Sequence, residues 1–194
     1  MNAEILSIGT ELLIGSILNT NARFLSEQLA RNAVDVYRQT TVGDNGERII
    51  ECLQTAFGRA DIVITSGGLG PTEDDVTVRS FAKFLNRPLV FHQPTYDAIQ
   101  KRLKDRKFTI TRLITRQCWV PKGSIVLKNE EGTAPGIVCQ VPCKNRKKWA
   151  VLLPGPPREL EPLFTQKVLP LLNRLAGIPK ERFIIRSLKI TGLT

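Results

Sequence analysis

One stretch of the chain combines glycines with acidic residues at a spacing typical of ligand-binding loops. The β-branched apolar run over residues 62–65 predicts a strand buried on both faces. Glycines, which let another group approach the backbone closely, follow at Gly67, Gly68 and Gly70. A helix should begin at the residues that come next, Pro71, Thr72, Glu73, Asp74 and Asp75. Strand, glycine loop and helix start form ligand sites at the edge of open α/β sheets.

The negative charge of this loop restricts its chemistry. A loop that only held phosphate on backbone N–H groups would not place three carboxylates beside the anion. The stretch also matches neither G-x-x-x-x-G-K-[ST] nor G-x-G-x-x-G. Two arrangements explain the acids: a metal ion between the carboxylates and a phosphate, or a polar ring that the carboxylates hydrogen-bond.

The surrounding elements predict how this loop is positioned. Strands are expected over residues 4–8, 34–42 and 62–65, and helices over residues 22–32, 47–57 and 76–85. This alternation implies parallel strands with right-handed crossovers. The turns that follow the strands then lie at one sheet edge, which brings together Glu11, Asp44, Asp74 and Asp75. The alternative is that these acids are only turn or helix-cap residues, worth about 1 kcal/mol each.

The second half of the chain is less regular. It predicts strands over residues 87–91, 125–127, 137–141, 149–153 and 183–190, a basic helix over residues 95–107, and an ambiguous segment over residues 110–120. Two more loops could bind a ligand, over residues 129–136 and 153–159. A helix over residues 160–175 is expected to be interrupted at Pro162 and Pro170.

Composition narrows the class of protein. The formal net charge is +10, and much of it lies in two basic clusters over residues 101–107 and 144–148. Neither cluster is interleaved with aromatic residues that could stack on bases, so solvated surfaces are favoured over nucleic-acid binding. Attraction of a small anionic substrate is the next use of this charge. No apolar run approaches the roughly 20 residues that span a bilayer, and no secretory signal begins the chain, so we expect a cytoplasmic protein without membrane contact.

Cysteine and histidine give no metal or nucleophile motif. The cysteines are Cys52, Cys118, Cys139 and Cys143, and only the last two are close in sequence. No second pair completes a zinc site, so zinc is not expected. His92 is the only histidine, and a Ser-His-Asp or Cys-His mechanism would depend entirely on it.

Six ordered motifs resemble one known family. They are GTELLIG over residues 9–15, NTN over 19–21, VGDN over 42–45, GGLGPTEDD over 67–75, GTAPG over 132–136 and LPGPP over 153–157. In this order they resemble the N-terminal domain of competence/damage-inducible CinA proteins, part of the molybdopterin-binding superfamily of molybdenum-cofactor biosynthesis enzymes. The resemblance runs from about residue 4 to about residue 172. One departure is that residues 114–118 keep Arg116 and Gln117 of a motif but lack its asparagine.

The resemblance implies a three-layer α/β/α fold with a mostly parallel sheet, over a domain of residues 1–175. Residues 176–194 would begin a following segment that is continued in a longer protein. Asp44 and Asp75 match paired functional aspartates of the cofactor-biosynthesis relatives, where the glycine loop and its acids bind molybdopterin. In the CinA branch this domain resembles a divalent-metal-dependent ADP-ribose pyrophosphatase, whereas the branch's nicotinamide mononucleotide deamidase domain has no counterpart here. The family also implies a homodimer.

Two functions remain open from the sequence. The first is hydrolysis of ADP-ribose to AMP and ribose 5-phosphate. Asp44, Asp74 and Asp75 would be the catalytic groups and would hold Mg²⁺ or Co²⁺. Potassium is a further candidate cation. The second is a module that binds a pterin or nucleotide without hydrolysis. Both use the same expected binding residues: Gly9, Thr10, Glu11, Asn21, Gly67, Gly68, Gly70, Pro71, Thr72, Arg116, Gly132, Thr133, Ala134, Gly136, Pro154, Gly155, Arg158 and Glu159.

Overall fold

The computed structural model describes residues 1–105, 113–143 and 146–177. Its first half alternates strands and helices as the sequence predicts. The elements are β1 (Asn2–Ile8), α1 (Thr10–Leu13), α2 (Thr20–Arg31), β2 (Asp35–Val42), α3 (Gly46–Arg59), β3 (Ile62–Ser66) and α4 (Thr77–Phe84). The strand predicted over residues 183–190 lies outside the described residues, as do parts of both basic clusters.

The second half contains shorter strands and a long helical segment. Its elements are β4 (Leu89–Phe91), α5 (Gln93–Asp105), a 3₁₀ turn (Ile114–Cys118), β5 (Trp119–Pro121), β6 (Ile125–Leu127), β7 (Gly136–Val141), β8 (Lys148–Leu153), α6 (Pro157–Leu163), a π-helical turn (Phe164–Val168) and α7 (Leu169–Ala176). None of the helices within the three described ranges is long and apolar enough to cross a membrane.

The main sheet has six strands in the order β2-β1-β3-β8-β7-β6. Strands β2, β1, β3 and β8 are parallel, and β7 and β6 are antiparallel additions at one edge. The predicted mostly parallel sheet is therefore confirmed. The connection after β1 leads to β2 on one side, whereas the chain after β3 continues to strands on the other side. This reversal of direction creates a crevice at the carboxyl ends of β1 and β3.

Helices cover both faces of this sheet and complete the three layers. Helices α2, α6 and α7 pack on one face together with residues of β1, β3 and β8, and α3 and α4 pack on the other. On α3 the buried side chains recur at helical spacing, at Ile49, Leu53, Ala56 and Phe57. Asn19 and Asn45 cap α2 and α3 by accepting the N–H groups of Ala22 and Arg48, both at 3.1 Å.

Three local differences from the sequence predictions have physical reasons. Residues 10–13, where the sequence predicts no helix, form the single helical turn α1. Part of the ambiguous segment over residues 110–120 forms β5, which pairs with β4 in a separate two-stranded sheet, a long-range pairing that local pattern does not encode. Pro162 lies inside α6, and the α-helical ladder is interrupted only after Leu163, by the π-helical turn (Phe164–Val168). Pro170 lies in the first turn of α7, where a missing N–H costs no hydrogen bond.

Candidate functional site

A cavity of about 720 Å³ lies where β1, β3 and β8 end at the carboxyl edge of the sheet. This volume is in the range of small-molecule sites. Most of the site residues that the sequence predicts line it: Gly9, Glu11, Asn21, Asp44, Gly67, Gly68, Gly70, Pro71, Asp74, Asp75, Thr133, Ala134, Pro154, Gly155 and Glu159. The predicted convergence of separate turns at one edge is therefore what the structure shows.

The glycine loop starts at Gly67, which is wedged between β1 and β8. Its N–H donates to the carbonyl of Leu153 at 3.0 Å, and its own carbonyl accepts the Thr77 hydroxyl at 3.0 Å. Its φ is +100°, and a Cβ there would lie 2.1 Å from the carbonyl oxygen of Ile8. Only glycine fits this position. Within the described part of the chain the N–H groups of Gly68 and Leu69 form no hydrogen bond, and both residues line the cavity.

Asp75 braces the same loop from its far end. Its Oδ1 accepts the N–H of Gly70 at 2.7 Å, while Oδ2 accepts the N–H and hydroxyl of Thr72 at 2.9 Å and 2.5 Å. Both carboxylate oxygens are therefore engaged with the loop itself. Although Asp75 lines the cavity, its first role is to fix the path of the backbone from Gly70 to Thr72.

Asp44 connects the turn after β2 to the turn after β1. Its Oδ2 accepts both the backbone N–H and the hydroxyl of Thr10, each at 2.9 Å. The N–H of Gly9 also donates to the carbonyl of Val42 at 3.0 Å. These contacts use one carboxylate oxygen of Asp44 and leave Oδ1 without a donor among the described residues, so Asp44 retains a free oxygen at the cavity.

The loop over residues 129–136 forms the opposite wall. The Asn129 amide oxygen accepts the N–H groups of Glu131 and Gly132, both at 3.0 Å, and its amide nitrogen donates to Glu159 Oε2 at 2.8 Å. A Cβ on Gly132 would lie 1.7 Å from that Glu159 oxygen. Arg102 of α5 holds the loop from outside by donating to the carbonyls of Glu130 and Glu131. The glycine thus makes room for a carboxylate at the start of α6.

Asn21 links the first turn of α2 to the turn after β8. Its side-chain amide donates to the carbonyl of Gly155 at 2.7 Å. Nearby, the Asn19 amide donates to the hydroxyl of Ser7 on β1 at 2.9 Å. The NTN motif therefore works as a cap and as a clamp, because it holds α2 against two of the strand ends that form the cavity.

The cavity is strongly acidic although the chain is basic. Five carboxylates line it, and the described residues that line it include no Lys or Arg. They are Glu11, Asp44, Asp74, Asp75 and Glu159. Asp74 is exposed, and neither its carboxylate nor that of Glu11 has a hydrogen-bond or ion-pair partner within the described ranges. A ligand for this cavity must supply hydrogen-bond donors or bring a cation.

A metal site made by the protein alone is not assembled here. Among the described residues no three His, Cys, Asp or Glu side chains lie close enough together to hold an ion, and Asp75 has both oxygens in use. Mg²⁺, however, is usually bound by one or two carboxylates together with waters and substrate phosphates. The free oxygen of Asp44 and the unpartnered carboxylate of Asp74 fit that kind of site, whereas the carboxylate of Asp75 already accepts three hydrogen bonds from the glycine loop.

Some predicted binding residues do not line the cavity. Thr10 and Thr72 act through the aspartates that they contact, and Gly132 and Gly136 lie behind the wall. The guanidinium of Arg116, which the sequence predicts as a binding group, lies outside this cavity on the other side of the glycine loop. There it donates to the Thr72 carbonyl at 3.4 Å and pairs with Glu73 at 3.1 Å. Arg158 is exposed at the start of α6. The structure thus brings the glycines and acids together around the cavity, whereas neither arginine lines it.

Other lining residues were not predicted from the sequence, and they include Ser66, Leu69, Ile17, Leu18, Asn19 and Gln117. Gln117 is buried and its amide donates to the carbonyl of Leu69 at 3.0 Å, so it supports the glycine loop from below. The sequence feature that could have pointed to Gln117 is its position next to Arg116 in a family motif. Ile17 and Leu18 carried a different signal, two consecutive large apolar residues directly before the helix cap at Asn19.

Comparison with known proteins identifies relatives over nearly the whole described chain. The family described as "Probable molybdopterin binding domain" matches residues 4–174. A CinA-like protein of Kosmotoga olearia is 49% identical over 175 residues, which cover 90% of this chain and 42% of the relative. A putative competence-damage inducible protein of Caldicellulosiruptor saccharolyticus is 44% identical over 193 residues, covering 100% of this chain and 45% of that protein. The chain thus spans less than half the length of these curated relatives.

Solved structures give the same result. The crystal structure of a CinA protein of unknown function from Thermoplasma acidophilum matches with a TM-score of 0.78 and 32% identity, covering 88% of this chain and 97% of that one. A putative molybdenum cofactor biosynthesis protein from Corynebacterium diphtheriae matches with a TM-score of 0.61 and 15% identity over 92% of this chain and 97% of the other. The second likeness is one of fold alone.

Proposed function

The chain belongs to the molybdopterin-binding domain family and to its CinA branch, and we propose that its cavity binds a phosphorylated small molecule that carries a nucleotide or pterin ring. One observation carries this proposal. Open backbone donors at Gly68 and Leu69 share a cavity with the unpartnered carboxylates of Asp74 and Glu11. The donors suit phosphate oxygens, whereas the carboxylates suit a cation or the N–H and O–H groups of a ring and sugar.

We further propose that the reaction is hydrolysis of a nucleoside diphosphate sugar, with ADP-ribose giving AMP and ribose 5-phosphate. A pyrophosphate would bring its negative charges among five carboxylates, with no Lys or Arg among the described lining residues to offset them. Binding therefore requires a cation that enters with the substrate. This charge balance is why metal dependence accompanies the proposed reaction.

The residues of the chain would divide the work as follows. The N–H groups of Gly68 and Leu69 hold phosphate oxygens, and Asp44 and Asp74 offer carboxylate oxygens to the cation. The bound divalent ion would supply charge neutralisation and Lewis-acid activation. Asp75 keeps the donors of the glycine loop in place through its three internal hydrogen bonds. Preorganised donors of this kind stabilise charge at little reorganisation cost.

The test is a turnover assay with each cation. Purified protein is incubated with ADP-ribose and Mg²⁺, Co²⁺ or EDTA, with and without potassium, and AMP is quantified by chromatography. We expect AMP with a divalent ion, none with EDTA, and loss of turnover in Asp74→Asn. A preparation that releases no AMP with any cation, although it binds ADP-ribose, would contradict the hydrolase proposal.

A second function is favoured by the state of Asp75. Because its two oxygens accept three hydrogen bonds from the glycine loop, Asp75 orders this loop without a metal, which favours a module that binds a pterin or nucleotide without hydrolysis. Isothermal titration with a pterin and with ADP-ribose, with and without Mg²⁺, separates the two functions. Tight pterin binding that needs no metal, together with no turnover, supports this alternative.

A further inference from the structure

The connector between β1 and α2, which includes α1, exposes an unusual concentration of large apolar side chains. Leu13 is 54% exposed, Ile14 72%, Ile17 52% and Leu18 86%. Single exposed apolar residues are ordinary, but contiguous ones mark a surface that contacts something else.

The four side chains fall into two pairs with different surroundings. Ile17 and Leu18 line the acidic cavity, whereas Leu13 and Ile14 do not. The first pair is also held in position on both sides. The N–H of Ser16 donates to the carbonyl of Glu11 at 3.0 Å, and Asn19 is fixed by its cap contact at Ala22 and its hydrogen bond to Ser7. Ile17 and Leu18 are therefore presented at the cavity mouth by anchored neighbours.

We propose that Ile17 and Leu18 form the apolar face against which the heterocyclic ring of the ligand packs. The inference rests on the proposed binding of a phosphorylated ring compound and assigns the ring to one part of the cavity. A planar heterocycle has an apolar face and a polar edge. The connector offers a matching group for each part of the ring. Ile17 and Leu18 can pack on its apolar face, and the unpartnered carboxylate of Glu11, on the same connector, can accept N–H groups at its polar edge.

The rest of the cavity supports a ring rather than a phosphate at this end. The open N–H donors are on the glycine loop at Gly68 and Leu69, at the end of β3, whereas the connector follows β1. A phosphate on the loop and a ring on the connector would place the two chemically different ends of a nucleotide on two different turns of the sheet edge.

The experiment compares a ligand that has a ring with one that lacks it. The probes are AMP and ribose 5-phosphate, both with Mg²⁺, and dissociation constants are measured by isothermal titration for the wild type and for Ile17→Ser/Leu18→Ser. We expect the double variant to bind AMP about tenfold or more weakly, because burial of the two side chains is lost. Its affinity for ribose 5-phosphate should stay within about twofold.

The matched control is Leu13→Ser/Ile14→Ser, which removes equally exposed apolar groups from the same connector outside the cavity. This variant should bind both probes like the wild type.

Equal weakening of AMP binding by the two double variants, or equal weakening of both probes by Ile17→Ser/Leu18→Ser, would overturn the inference. So would unchanged AMP affinity accompanied by a change in sedimentation, because a second copy of the chain would then cover this face. A wild type that binds neither probe refutes the proposed function itself, and the inference falls with it.

Discussion

Asp75 reaches back five residues to Gly70 and accepts the N–H of that glycine through Oδ1 at 2.7 Å. A Cβ on Gly70 would lie 2.4 Å from the other carboxylate oxygen, so a side chain at position 70 would have to displace the folded-back carboxylate. The glycine loop is therefore held by a carboxylate that the sequence predicts as a metal ligand. The same carboxylate braces Thr72 through two more hydrogen bonds.

Asp75→Asn should destabilise the protein. An amide nitrogen cannot accept a hydrogen bond, so either Gly70 or Thr72 loses its acceptor, at a cost of about 1–3 kcal/mol in the free energy of unfolding. Urea denaturation of the variant and the wild type measures this difference. An unchanged midpoint and slope would show that the hydrogen bonds of Asp75 do not stabilise the loop.

Asp74→Asn should behave in the opposite way. Asp74 is exposed, and its carboxylate has no partner among the residues that the structure describes, so the free energy of unfolding should change by less than about 0.5 kcal/mol. Metal-dependent binding of ADP-ribose, measured by titration with and without Mg²⁺, should weaken strongly. If Asp74→Asn binds ADP-ribose with the metal dependence of the wild type, Asp74 does not hold the cation.

The contrast between these neighbours shows how far the sequence predicts the site. The β-branched runs and helical spacings predict the strands, their parallel order and the sheet edge where Glu11, Asp44 and the glycine loop meet. Local pattern cannot distinguish Asp74 from Asp75, because only the folded backbone decides which carboxylate turns back to Gly70. It also cannot predict the contact between Gly132 and Glu159, or the paired strands β4 and β5, since these depend on segments far apart in sequence.

Gly67→Ala should severely destabilise the fold. The new Cβ would lie 2.1 Å from the backbone oxygen of Ile8, and alanine would have to adopt φ of +100°, so we expect a loss of at least about 3 kcal/mol in the free energy of unfolding. Thermal and urea unfolding measure the loss.

The matched control is Gly58→Ala on the exposed side of α3, where a Cβ would meet nothing within 4 Å. That variant should gain about 0.5–1 kcal/mol through helix propensity, and a similar loss in both variants would contradict the steric argument.

Cys118 should make the stability of the protein fall at alkaline pH. Burial raises the pKa of its thiol to about 11, whereas an unfolded cysteine has a pKa of about 8.5. Above the unfolded pKa the unfolded thiol loses its proton while the folded one keeps it, so the free energy of unfolding decreases as pH rises through this window. The decrease from Cys118 should approach about 3 kcal/mol by pH 11.

Urea unfolding at pH 8 and pH 10.5 measures this decrease, and Cys118→Ala should show a shallower one. Some slope should remain, because burial also raises the pKa of Cys139 despite the Ser124 hydrogen bond that lowers it. Parallel pH profiles for the variant and the wild type would show that Cys118 is not the titrating group.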